Sequence, residues 1–411
     1  MHLTRRAFLP AATITVLAPR LLLAQPSHPA GPSPHPDVAA IDHDRILTAA
    51  QRYLAEPPVP ITALPSKRNP GSTQDFFSEA DDWLPNPDDP AAPYTHNNRD
   101  LNPEAFTAHQ QALINLSLYV PALTAAHILT RTTQPELAKQ YAGHAIAHLR
   151  AWFIHPSTRM NPTLLFGQLI PGPPSTKPRP SRFEGILEAI QLVEVAQSIP
   201  FLEAELTAED RTTLHAWFAS YLEWLTTSRL AGLARDQKDH HGSSWLLQCA
   251  AFTRLTTGDD SLTSLRHHFR SVTLRAQILA DGSFPHELAT PNPYRNSLFN
   301  LDLLAAICDL LSTRFDSVWT YELQDGPGMR SVIARHYPFM LHRNAWPYLA
   351  DASRFTELPL RQPSLLLAAR AYSQPDYSDL WKKLPADPTD PILLRTFPIR
   401  QPLLWVTRSH V

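Results

Sequence analysis

The chain carries 41 prolines and only 12 glycines in 411 residues. Proline fixes φ and removes a backbone donor, so helix interiors and central strands exclude it. Tight hairpin turns need positive φ, which glycine supplies most readily. This imbalance argues against propellers, turn-dense sandwiches and Gly-rich phosphate folds, and no Walker A or Rossmann fingerprint is present. It predicts helices separated by long, rigid loops. The hydrophobic share of 43 % and the charged share of 18 % suit a globular chain of one large or two ordinary domains.

Residues 1–25 read as an export signal. Arg5 and Arg6 precede an apolar run from Ala7 to Ala18, and Phe8 and Leu9 follow the pair as in a twin-arginine leader. Residues 26–37 form a Pro-rich linker, and the folded domain spans 38–411. An exported chain of this kind is expected in the periplasm or outside the cell. Loss of residues 1–25 removes three arginines and no acid, which takes the net charge from −2 to −5. A mildly acidic protein is a poor nucleic-acid binder. No stretch after the leader reads as a membrane span. Cys249 and Cys308 lie in apolar helical patterns and are expected as buried thiols rather than a disulfide framework.

Helical stripes recur along the chain. Ile41–Glu56 is the first. Asn102-Pro103-Glu104 has the form of a helix start, cap, proline, then acid, leading towards Leu129 with a kink at Pro121. Pro135 opens another, carrying Tyr141, Ala145, Leu149, Trp152 and Phe153 on one face. Further stripes run from Phe183 to Val193 and from Leu214 to Leu225. Others span His241–Leu255, Leu262–Leu279, Ser297–Leu311 and Gly328–Leu341. About ten helices without a fixed-period repeat favour stacked αα-hairpins closed into a toroid over a simple solenoid.

Three constellations carry chemistry. Arg150, Arg159, Lys177, Arg179 and Arg182 lie in a stretch with no Asp or Glu, a basic patch suited to a carboxylated or sulfated ligand. His240 and His241 sit at a loop-to-helix junction, where imidazoles move protons near neutral pH and the helix N-terminus favours an anion. Adjacent histidines diverge on a helix, so a metal site is the weaker reading and none is expected. Asp281 and Glu287 flank a turn and form a possible glycosidase pair. Tyr294 is a candidate acid or base.

Longer stretches resemble the alginate lyase family of polysaccharide lyases, from about Asn69 to Trp346. They are FFSEADDWLPNPDDP (Phe76–Pro90) and WFIHPSTRMNPTLLFGQLIPG (Trp152–Gly172), then Ser181–Ile186. His241-Gly242 with Gln248, DGSFPHELA (Asp281–Ala289) and Ser297–Leu301 complete the set. The resemblance implies an all-α, incomplete α/α toroid of antiparallel helical hairpins with a deep cleft. It implies metal-free and cofactor-free β-elimination on an acidic, uronate-containing polysaccharide. Family members use an Asn-His pair, an arginine and a later tyrosine. Here His241 matches the histidine, while His240 stands at the asparagine position, Thr290 at the arginine and Asn296 at the tyrosine. On this basis His241, His240 and Tyr294 are the catalytic candidates. Arg159, Asn161, Gln168, Arg182 and Glu287 would position sugar or carboxylate, with Trp83, Tyr94 and Trp245 as stacking faces. The rival readings are a hydrolase using Asp281 and Glu287, and a glycan-binding protein without turnover.

Overall fold

The computed structural model describes residues 34–89, 91–97, 100–173 and 181–407. The leader, the linker up to residue 33, and Lys177 and Arg179 of the basic stretch lie outside the described residues. Ten α-helices of nine or more residues are present among the described residues. They are α1 (His43–Tyr53), α2 (Ala108–Thr130), α3 (Pro135–Leu149), α4 (Leu192–Leu202), α5 (Ala208–Thr227), α6 (His240–Thr257), α7 (Pro293–Leu311), α8 (Met329–Leu341), α9 (Pro363–Tyr372) and α10 (Pro375–Lys383).

These helices form an α/α toroid. Helices α2, α4, α6, α7 and α9 pack in succession as an inner layer, and α1 and α3, α5, α8 and α10 back onto them from outside. The outer helices have the one-sided apolar face that such packing requires. On α5 it consists of Leu214, Trp217, Phe218, Tyr221 and Leu225, all buried; each such side chain contributes about 1.5–3 kcal/mol of burial. Two segments of the inner layer are unusually apolar. Ala108–Thr130 and the continuous helical stretch Phe183–Leu202 are long and apolar enough, by length and composition alone, to cross a bilayer. The sequence reading of no span-like stretch is therefore corrected. Their apolarity matches a position between two helical layers, where 72 % and 83 % of the two windows are buried.

Proline marks helix starts as well as loops. Pro135, Pro293, Pro363 and Pro375 each occupy the first turn of a long helix, where a missing N–H costs nothing. The expected start at Asn102 is not one: Asn102 caps a loop turn at Glu104 and donates to the Trp83 carbonyl, and α2 begins at Ala108. The Leu262–Leu279 stripe is interrupted by a π turn at Phe269–Thr273. Helix α7 begins at Pro293, four residues before the sequence reading placed it. Cys249 and Cys308 are buried thiols.

Two small two-stranded sheets are present among the described residues. Strand β1 (Phe77–Glu79) pairs in parallel with β4 (Phe166–Leu169), and β2 (Trp83–Leu84) pairs antiparallel with β3 (Thr95–His96). The C-terminal segment is tied down by Glu194 of α4. Its fully buried carboxylate accepts the backbone N–H groups of Arg400 and Gln401 at 2.8–3.0 Å. That anchor holds the preceding turn, and Arg395 with it, against the inner layer.

Candidate active site

The first turn of α6 is built around Asp239. Its Oδ1 accepts the backbone N–H of His241 at 2.9 Å, capping the helix, and also the His241 Nδ1–H at 3.0 Å. Gly242 is required at the third position, because a Cβ there would lie 2.3 Å from the Gln237 carbonyl oxygen. Glu287, fully buried beneath the turn, accepts the His240 backbone N–H at 2.7 Å and its Nδ1–H at 2.9 Å. Two adjacent imidazoles are thus each oriented by a carboxylate at Nδ1, with ring centroids 4.3 Å apart. With Nδ1 committed to a carboxylate, Nε2 is the ring atom each histidine has left to present to a ligand.

Both histidines line a cavity of about 440 Å³. Burial opposes the charge on His240, but Glu287, by charge and hydrogen bond, outweighs it with help from Asp239, so the pKa is raised. Burial would raise the Asp239 carboxyl, yet the hydrogen bond and charge of His241, then of His240, hold it well below the usual carboxylate range. Asp239, His240 and His241 each offer a donor atom within 4.8 Å of the others. The helix N-terminus and nearby Arg295 favour an anion there over a cation.

The opposite wall comes from the helical stretch Phe183–Gln191 and from β4. Gly185 and Gly167 touch, and a Cβ on Gly185 would meet the Gly167 carbonyl at 2.7 Å. This close approach brings Gln168 over Glu188. Gln168 holds φ at +54°, a conformation costing a non-glycine residue on the order of 1 kcal/mol. Its Nε2 donates to Glu188 Oε1 at 2.8 Å, while Gln110 and Ser78 supply further hydrogen bonds at 2.6 Å. Burial lifts the Glu188 carboxyl to about 7 against the hydrogen bonds of Ser78 and Gln168.

The cavity is not the basic cleft that the sequence suggested. Asp81, Asp82, Asp100, Glu184, Glu188 and Asp239 line it, with only Arg182, Arg295 and Arg395 as strong cations. Arg395 is bound bidentately by Asp81 at 2.6 and 3.0 Å, and Arg182 is paired with Glu184. Arg150 is spent on Asp210 at 2.6 Å. Arg159 is exposed away from the cavity, in a loop whose carbonyl accepts from Gln74.

Several predicted site residues are elsewhere. Tyr294 is fully buried at the start of α7, where its hydroxyl donates to the Phe339 carbonyl at 2.9 Å and its ring packs on Trp346 and Phe355. Burial raises its phenol pKa. The helical start at Pro293 turns it into the core, so it cannot act as the base. Trp245 is likewise core, with Nε1 donating to the Leu225 carbonyl. Asn161 braces a loop through Asp75 at 2.8 Å. Tyr94 does not line the cavity. Trp83 lies just behind the wall, between Arg182 and His96, both of which do line it. Glu287 supports His240 from below and does not face the cavity. Gln168, Arg182, His240 and His241 do converge there.

Sequence reading missed Glu188, Gln191 and Arg295. Glu184, Glu188 and Gln191 recur at i, i+4 and i+7 beside the Phe183–Val193 apolar stripe, a polar pattern visible in the sequence, and Leu187 of that stripe lines the cavity with them. Thr290 and Asn296 also line the cavity, and the Asn296 amide donates to the Thr290 hydroxyl at 3.1 Å.

The sequence matches the alginate lyase family model over residues 61–346. A crystal structure of an alginate lyase from Bacteroides ovatus is similar, with a TM-score of 0.76, 23 % identity, and 91 % of this chain and 94 % of that chain covered. Alginate lyase A1-III from Sphingomonas species A1 is similar at a TM-score of 0.52 and 13 % identity, covering 85 % and 91 %. No curated protein matches the sequence. With a family match over most of its length and the toroid shared with both structures, this chain belongs to the alginate lyase family of polysaccharide lyases.

Proposed function

We propose that the protein cleaves a uronate-containing polysaccharide by β-elimination, with His241 as the proton-transfer group and His240 as a carboxylate neutraliser. The observation that carries this reading is the carboxylate-oriented histidine pair at a helix N-terminus, open to the cavity. Asp239 holds the Nδ1–H of His241, so Nε2 is available to take the C5 proton. As that bond breaks, its electron pair forms the C4=C5 double bond and the C4–O4 bond is cleaved. The departing oxygen takes a proton. No tyrosine lines the cavity among the described residues, so the His241 imidazolium returns the proton to O4, a syn course on one face of the sugar. The C5 carbanion is stabilised when its carboxylate meets His240 in its protonated form, which Glu287 favours.

A glycan-binding protein without turnover is the second reading, favoured by Thr290 and Asn296, which fill with a mutual hydrogen bond the positions of the family arginine and tyrosine. The hydrolase reading lacks support: neither Asp281 nor Glu287 lines the cavity, and both Glu287 oxygens are committed to His240. A panel of uronate polymers decides between these readings. Unsaturated, ultraviolet-absorbing ends that disappear in His241→Ala support the lyase; binding without such ends supports the second reading. Neither product nor binding on any polymer ends both. The arginine pair and apolar run at the N-terminus support export, which intact-mass analysis of the secreted protein tests through loss of the leader.

A further inference from the structure

Three arginines line the cavity, and two of them are already neutralised: Arg395 by Asp81 and Arg182 by Glu184. Arg295 is different. It is the third residue of α7, half-buried, and takes part in no ion pair among the described residues. Its Nε is buried without a hydrogen-bond partner, and its Nη1 reaches only the Ser353 hydroxyl at 3.4 Å. The nearby Asp351 carboxylate is engaged elsewhere. One of its oxygens accepts the Tyr294 backbone N–H at 2.8 Å and the other that of Arg295 at 2.9 Å, so it caps the helix rather than pairing with the guanidinium. A guanidinium is a planar fork whose geometry matches a carboxylate. Burial works against the charge of Arg295, and Asp351 and Asp390 offset this only from beyond ion-pair distance while Arg354 and Arg395 oppose them, a condition that a bound anion relieves.

From this unpaired guanidinium, facing the same cavity as His240 and His241, we infer that Arg295 is the specificity residue for the free carboxylate of the uronate substrate. The inference rests on the lyase reading above and names what that site selects: the ionised acid, in preference to its methyl ester or a neutral sugar. The sequence neighbours fit the assignment. Thr290 and Asn296 are bonded to each other, and neither carries a charge for the substrate. Arg295 is then the cation placed to meet an anionic sugar directly, with His240 beside it. A neutral or esterified sugar leaves the guanidinium unpaired and forfeits a charge-assisted pair.

The test compares the wild type with Arg295→Gln and Arg295→Lys. Turnover is read on whichever uronate polymer the wild type cuts and on the methyl-esterified form of that polymer. Binding of saturated oligouronates is read separately by calorimetry. Arg295→Gln is expected to raise KM on the free acid, and weaken oligouronate binding, about ten- to hundredfold, with a smaller change in kcat. Its preference for acid over ester shrinks accordingly, and Arg295→Lys recovers part of the affinity. Unchanged circular dichroism keeps misfolding out of the comparison. If Arg295→Gln binds and cuts the free acid like the wild type, or loses acid and ester equally, the assignment is overturned while the lyase reading stands. If the wild type binds oligouronates without cutting them, the lyase reading falls and the calorimetric comparison still decides the role of Arg295. If the wild type binds no oligouronate, both fall.

Discussion

Glu287 holds His240 at two points, the backbone N–H at 2.7 Å and the ring Nδ1–H at 2.9 Å. The carboxylate is fully buried, so removing it leaves the buried imidazole without the partner that favours its protonated form. Glu287→Gln is expected to cost about 1.5–3 kcal/mol, measured by urea unfolding. The pH dependence has a definite sign. A raised imidazole pKa stabilises the fold below the ordinary histidine range, and that stability is lost as pH rises through the raised folded value. Glu287→Gln should flatten this loss. Parallel wild-type and variant curves would show that the pair is not ionised.

The histidines separate by role. His241→Ala is expected to lower turnover about 10²–10⁴-fold, with oligouronate binding changed far less. His240→Asn restores the residue type of the family pattern. It should retain measurable turnover while losing the fall in activity at high pH that deprotonation of His240 imposes on the wild type. A pH–rate profile of kcat/KM checks this. An unaltered high-pH limb in His240→Asn would assign that limb to another group.

Tyr294 offers the clearest contrast between motif and fold. Its hydroxyl donates to a carbonyl inside the core. Tyr294→Phe is therefore expected to leave kcat and KM unchanged and to cost about 1 kcal/mol of stability, read from the denaturant midpoint. A loss of turnover with stability intact would return it to the mechanism.

Glu188 should tie stability to pH in the opposite chemical sense from an ordinary salt-bridged acid. Burial lifts its carboxyl to about 7, so the folded protein binds a proton that the unfolded chain has released. Stability then falls as pH rises from about 4.5 towards 7, by up to about 1.4 kcal/mol per pH unit. Glu188→Gln should remove that slope and keep an acceptor for Gln168. The difference between the two urea-unfolding curves across this interval measures it, and a zero difference would mean that Glu188 is ionised throughout.

Much of this protein could be read along the chain. Periodic apolar residues mark α3, α5 and α6, and scarce glycine with abundant proline implies helices joined by stiff loops. These signals are local, because helix formation depends on residues three and four apart. The Asp239-His240-His241-Gly242 turn was legible for the same reason: cap, imidazoles and glycine all lie within one helical turn. What the sequence could not decide was which side chains face one another across the toroid. Tyr294 and Arg295 are neighbours in sequence, yet one packs on Trp346 and Phe355 and the other lines the cavity. Their separation follows from a helix that begins at Pro293 and turns successive residues about 100° apart. Likewise, the basic stretch from Arg150 to Arg182 looked unopposed, but Asp210 and Glu184 neutralise its ends. Composition and periodicity determined the helices. Only the packing of distant segments decided which charges remain unpaired, because pairing depends on distance in space and not on separation along the chain.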